Sequence, residues 1–144
     1  MLVSQILKDK PIHGVATVKP GATVNEAVQV LSEKKIGAVI VSEDGVHPAG
    51  IVSERDIVSA LGASGTGCLT ESVDTIMTSK LISCAPDDRA IQVLQTMTEK
   101  RFRHMPVMQG DEMVGLVSIG DVVKARLDEL SSQAEALTNM IMGY

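Results

Sequence analysis

Aromatic residues are almost missing from this 144-residue chain, which has one Phe, one Tyr and no Trp. Proteins that hold single strands of nucleic acid stack bases on such rings, and those that grip duplexes release counterions with clustered Lys and Arg. Here 13 Lys and Arg stand against 18 Asp and Glu, a formal net charge of -5, so a nucleic-acid binder is not expected. Long apolar runs are lacking too, and none approaches the roughly 18 uninterrupted residues that a membrane span needs. Residues 1–10 carry no apolar stretch of the signal-peptide kind, and the expectation is a cytoplasmic protein. Cysteine is sparse, and Cys68 and Cys84 form no Cys-x-x-Cys, so two reduced thiols in a reducing compartment are expected. What is plentiful is aliphatic: 44% of residues are hydrophobic, in a chain of single-domain length, which suffices for one sizeable buried core.

The chain reads twice. Pro20, Ala27, Leu31, Lys34 and Val41 fall on Pro86, Val93, Met97, Lys100 and Val107 at an offset of 66 residues. After one further turn the offset becomes 65, and Gly50, Val52, Ser53, Asp56 and Val58 fall on Gly115, Val117, Ser118, Asp121 and Val123. A shorter match leads each copy, Val3-x-x-Ile6-Leu7 against Val73-x-x-Ile76-Met77. We divide the chain into a first repeat at 1–67, a second at 68–126 and a helical extension at 127–144.

Each copy has the pattern of a mixed α/β unit. Residues 15–18 and 81–84 are short strand candidates, each followed by a turn containing proline. Thr23-Val24-Asn25-Glu26 is a capping box, and Val24, Ala27, Val28 and Leu31 then recur at helical spacing. Ala90, Val93, Leu94 and Met97 repeat that stripe, with Asp87 and Asp88 placed at the positive end of the helix. Ala38-Val39-Ile40-Val41 does not alternate and predicts a strand buried on both faces. In its counterpart, residues 104–108, Pro106 cannot donate to a ladder, so that strand is expected at an edge or paired on one side. Residues 49–52 and 113–117 predict returning strands, and helices follow from Ser53 and Ser118. The order in each copy is strand, helix, strand, strand, helix. Residues 62–67, all small and rich in glycine, follow no strand and precede no Lys-Ser/Thr, so they read as a linker and not a phosphate loop.

With these residues in view the chain resembles a tandem CBS-domain protein (a cystathionine beta-synthase domain pair, or Bateman module) over nearly its whole length. The resemblance rests on Gly50-Ile51-Val52-Ser53-Glu54-Arg55-Asp56-Ile57-Val58 and Gly115-Leu116-Val117-Ser118-Ile119-Gly120-Asp121-Val122-Val123, with Pro86-Asp87-Asp88 and Arg103-His104-Met105-Pro106-Val107 beside them. It implies an α/β (α+β) fold of two βαββα repeats packed as a pseudo-two-fold pair with two clefts, the C-terminal helix being an extension. It also implies regulatory binding of an adenosyl ligand there: AMP, ADP, ATP, NAD(H) or S-adenosylmethionine. In the family pattern the hydroxyl faces phosphate or ribose and the Asp faces the ribose hydroxyls, which here are Ser53 with Asp56 and Ser118 with Asp121. Pairs of this kind typically form dimers, so a homodimer and an unidentified protein target are expected.

The plainer reading of Ser53-x-x-Asp56 is a helix cap and nothing more. A helix start at the end of a glycine-bearing strand is nevertheless an anion site in its own right, and the unit recurs. Basic residues distinguish the copies: Arg103 and His104 stand where the first copy has Gly37 and Ala38, and Arg55 precedes Asp56 where Gly120 precedes Asp121. In family members basic residues at the first of these points often face the ligand phosphates, so the resemblance implies phosphate contact for Arg103 and His104, an Arg fork suiting phosphate bidentately, with Arg55 a further ligand-binding candidate, and the two clefts should differ. Arg101, like these two Arg, could equally be a solvated charge, and His104 on its own reads more often as an ordinary hydrogen-bonded strand residue. His13 and His47 have no metal-ligand spacing, Cys84 reads as a buried inert thiol, and no catalytic constellation emerges, so neither an enzyme nor a metal site is expected.

Val123, Leu127, Leu130, Ala134, Leu137 and Ile141 follow one another at heptad-like spacing past the end of the second repeat. This seam packs either across a homodimer partner, the reading preferred here, or back on its own module. The alternative to a ligand sensor is a structural homodimerisation module without a small-molecule ligand.

Overall fold

A computed structural model describes residues 1–10 and 14–143. In chain order the elements are α1 (Val3–Asp9), β1 (Thr17–Val18), α2 (Val24–Lys34), β2 (Ala38–Ser42), β3 (Pro48–Ser53) and α3 (Glu54–Ser64). Then come two 3-10 segments (Gly65–Thr70 and Val73–Thr75), α4 (Ala90–Lys100), β4 (His104–Gln109), β5 (Glu112–Ser118) and α5 (Ile119–Met142). None of the described helices is long and apolar enough to cross a membrane.

The elements gather into two compact units that do not follow chain order. Among the described residues one unit comprises 1–10, 83–107 and 116–143, and the other 14–82 and 108–115. The second unit contains the first copy from β1 to α3. β2 lies between β1, parallel to it with Val18 opposite Val41, and β3, antiparallel with Val39 opposite Val52. Every residue of β2 is buried, as its unbroken apolar run predicts. α2 starts at the Thr23 cap, whose hydroxyl accepts from the Glu26 amide at 3.1 Å while the Glu26 carboxylate accepts from the Thr23 amide at 3.2 Å. Its Val24, Ala27 and Leu31 enter a core with Val39, Val41, Val52, Ile57 and Val73. Burying such side chains is worth about 1.5–3 kcal/mol each, far more than the cap.

In the other unit α4 and α5 enclose Val3, Ile6, Cys84, Val93, Met97, Val107, Val117 and Val122. β4 and β5 form a two-stranded sheet. No strand spans residues 81–84: only Cys84 bridges Val107, parallel to it, its amide donating to the Pro106 carbonyl at 3.0 Å. Proline explains the loss. In the first copy the Ile40 amide donates to the Ala16 carbonyl at 3.1 Å, and the residue equivalent to Ile40 is Pro106, which has no N–H to give. Asp88 lies just before Arg89, the cap residue of α4, and closes a turn there by accepting from the Ala85 amide at 2.8 Å.

Residues 62–67 are folded into helix and do not form a loose connection. Gly62, Ala63 and Ser64 finish α3, Gly65 caps it with φ 67°, and a 3-10 segment follows that buries Cys68. α2 and α4 end alike, on Lys35 and Arg101, both left-handed at φ 54° and 58°, with amides bonded back to Leu31 and Met97. Arg101 thus has a place in the fold as the residue that stops α4.

The lead segments are exchanged between the copies. α1, the lead of the first copy, joins the second: the Val3 amide donates to Asp88 O and the Ala90 amide to Met1 O, both at 2.9 Å. In the other unit the lead of the second copy joins the first: the Val73 amide donates to Ala22 O at 2.7 Å and the Val24 amide to Glu71 O at 2.9 Å. Residue for residue these are the same joint, built twice.

Candidate ligand-binding site

Ser53 is the last residue of β3 and the cap of α3, in extended conformation. Its hydroxyl meets the Asp56 amide at 3.3 Å, and Asp56 Oδ2 accepts from the Ser53 amide at 2.8 Å and from Ser53 Oγ at 3.0 Å. In the second copy Ser118 closes β5 and caps α5, its hydroxyl accepting from the Asp121 amide at 3.1 Å and its amide donating to Asp121 Oδ2 at 2.9 Å. In both, the local bonds fall on Oδ2, and Oδ1 takes none from the described residues. Each carboxylate is thereby oriented by its own helix start and keeps an acceptor for a ligand.

In each copy a backbone bond brings the loop before β2 or β4 to the helix start. The Glu54 amide donates to Gly37 O at 3.0 Å, and the Ile119 amide to Arg103 O at 2.8 Å. Arg103 and half-buried His104, the first residue of β4, are so placed beside Ser118 and Asp121 in one unit. Gly37 and Ala38 hold that position beside Ser53 and Asp56. Arg55 and Arg103 are exposed, and neither guanidinium joins an ion pair among the described residues.

Lys10 is the residue that the motifs do not reveal. Its ammonium lies 2.9 Å from Asp121 Oδ2 and donates to Leu116 O at 2.8 Å. Burial works to raise the Asp121 carboxyl, but bonds from the Ser118 amide and the Lys10 ammonium outweigh it and hold the group below its ordinary value. Extending the lead-segment match by three residues, to Lys10 over Lys80, would have marked the position.

Away from this site, His47 is held by its own turn: Asp44 Oδ2 lies 2.6 Å from His47 Nδ1, and Asp44 Oδ1 accepts from the Val46 and His47 amides, both at 2.8 Å. The fold adds Asp111 and Glu112, ligand atoms of the three lying within 4.8 Å of one another, all exposed. Exposed carboxylates meet this way commonly, and the geometry alone assigns no metal to them. His13 lies outside the described residues.

The seam on α5 does not fold back on its own unit. Leu127 is 61% exposed and Ile141 76%, and Leu130 and Leu137 are also open to solvent.

A βαββα copy and a second copy reduced to αββα, each with a Ser-x-x-Asp helix start, define the class, and comparison with known proteins agrees. The CBS domain family matches residues 3–63 and again 73–128, and the chain belongs to that family. Its members are in general regulatory and not catalytic modules. The chain is 36% identical over 125 residues to the mitochondrial CBS domain-containing protein CBSX3 of Arabidopsis thaliana, aligning 84% of its own length with 61% of that protein's. Among solved structures it is similar to the CBS-domain containing protein ATU1752 of Agrobacterium tumefaciens, with 39% identity and a TM-score of 0.83 over 88% of this chain and 99% of that one. It is also similar to the CBS domain protein PAE2072 of Pyrobaculum aerophilum, solved in complex with AMP, with 26% identity and a TM-score of 0.78 over 92% of this chain and 99% of that one.

Proposed function

We propose that this chain is a regulatory module that binds an adenosyl ligand through its two Ser-x-x-Asp helix starts. Asp56 and Asp121 take the ribose hydroxyls, Ser53 and Ser118 face ribose or phosphate, and Arg55, Arg103 and His104 serve the phosphate side. The observation that carries this reading is the recurrence of one hydrogen-bond pattern in both copies, each leaving a carboxylate oxygen available. The AMP complex of the Pyrobaculum protein supports the adenosyl class. Occupancy acts by favouring one arrangement of a homodimer, or of a complex with a target protein, over another, which requires unequal affinity for the two arrangements. The buried thiols of Cys68 and Cys84 suit a reducing compartment, and a cytoplasmic setting is part of the proposal.

The test is a thermal-shift and calorimetry panel of AMP, ADP, ATP, NAD⁺, NADH and S-adenosylmethionine. A ligand confined to the native state adds RT ln(1 + [L]/Kd), about 2.7 kcal/mol at a hundred times Kd. One compound should shift the midpoint and lose that effect in Asp56→Ala or Asp121→Ala. Silence across the panel at millimolar concentration would favour the second reading, a homodimerisation module, to which the exposed leucines of α5 also point.

A further inference from the structure

We infer that Lys10 is a built-in competitor at the second Ser-x-x-Asp site, its ammonium holding the Asp121 carboxylate that a ribose would otherwise engage. This rests on the adenosyl reading above and makes the two sites unequal in a stated direction.

The ammonium donates to two groups of one strand-to-helix joint, Asp121 Oδ2 at 2.9 Å and Leu116 O at 2.8 Å. Both side chains are three-quarters buried, at 25% and 23% exposed, where an ion pair is screened less than on open surface. A ribose hydroxyl is a neutral donor. A ribose that engages both carboxylate oxygens must displace the ammonium from Oδ2, and one that uses Oδ1 alone meets an acceptor whose charge the lysine already offsets, so either bond is weaker than at an unpaired Asp.

The first copy has no such competitor, for a reason visible in the backbone. Lys80 is the repeat equivalent of Lys10, and Ile51 that of Leu116. The Ile51 carbonyl is already taken by the Thr78 amide at 2.9 Å, and the Ile51 amide donates to Thr78 O at 3.0 Å, so the second lead runs on as a bridge against β3. Lys80 is exposed and forms no ion pair with Asp56, whose Oδ2 receives only the amide and hydroxyl of Ser53. The same lysine in the same lead thus finds its acceptor in one copy and is excluded in the other. The Ser53–Asp56 site should fill first and the Ser118–Asp121 site later.

Calorimetry on the full chain tests this, with AMP and adenosine as probes and Asp56→Asn as the background that isolates the second site. Lys10→Met in that background should tighten binding of both probes by about tenfold, the scale of one charge-assisted bond. Lys10→Arg, which keeps the ion pair, should stay near the parent. Unchanged affinity in Lys10→Met would overturn the proposal and leave the adenosyl reading intact. So would weaker AMP binding with adenosine unaffected, because it would make Lys10 a phosphate contact. If neither probe binds the parent chain at millimolar concentration, the ribose reading falls and the competitor with it.

Discussion

Gly50 and Met77 approach so closely that a Cβ on the glycine would lie 2.5 Å from the methionine Sδ and 3.1 Å from the carbonyl oxygen of Thr78. Gly50 belongs to β3, three residues before Ser53 of the candidate site, and Met77 to the lead segment bridged to that strand. The glycine of the Gly-x-x-Ser motif is here a requirement of strand-to-strand approach. Gly50→Ala should lower stability by about 1–3 kcal/mol, the usual cost of overpacking. A flexible Met77 side chain can swing aside whereas the Thr78 backbone cannot, so Met77→Ala should relieve only part of the loss. Urea midpoints of the two variants and their double mutant check this, and an unchanged midpoint in Gly50→Ala would show that the lead segment yields.

Asp56→Ala and Asp121→Ala should each weaken AMP binding at their own site by about 1.5–3 kcal/mol, roughly ten- to a hundredfold in Kd. Each also removes part of a helix start, at a cost of about 1 kcal/mol in stability. Calorimetry paired with denaturation separates the two effects. Parental binding in both variants would refute the ribose assignment.

Acid should weaken the protein partly through Asp121, which is held below its ordinary value of 3.8. Between that value and the lower native one the unfolded chain binds more protons than the native, so stability rises with pH there. The contribution is therefore complete above 3.8 and lost as pH falls through the native value. Asp121→Asn should flatten the acid limb of a stability-against-pH curve, and an identical limb would contradict the Lys10–Asp121 pairing.

Alkali acts in the opposite sense through Cys84. Burial pushes its thiol from 9.0 up to about 12, with Asp88 adding to the effect. Above 9.0 the unfolded chain gives up a proton that the native chain keeps, so stability declines as pH climbs toward 12. Native protein at pH 9 should resist iodoacetamide at Cys84 and react once unfolded, as mass spectrometry of the labelled peptide would show. Equal rates in the two states would refute the burial argument.

Truncation after Leu127 removes Leu130, Leu137 and Ile141 from an exposed face of α5. If that face is the homodimer seam, sedimentation velocity should show a larger monomer fraction. An unchanged distribution would place the dimer contact elsewhere.

The internal repeat, the caps at Thr23, Ser53 and Ser118, and the buried strand 38–41 are legible in the sequence because each depends on neighbours within a few residues. A hydroxyl three positions before a carboxylate closes the same bonds wherever a helix starts, and an unbroken apolar run has no solvent-facing side to offer. The missing first strand of the second copy was half legible: Pro106 announced that β4 would be poorly paired, and its lost N–H falls on the ladder position that Ile40 fills in the first copy. Residues 62–67 misled, since their composition suggests a flexible connection, yet burial of Cys68 and packing of Leu69 on the first-copy core outweigh the glycines and fold the segment into helix.

What only the tertiary structure decided is which distant groups meet. Nothing in the spacing of Lys10 says that it will reach Asp121 instead of solvent, or that Lys80 will not reach Asp56. Those outcomes follow from the exchanged lead segments and from whether a backbone amide has already taken the strand carbonyl, and such closures belong to the whole chain and to no local pattern.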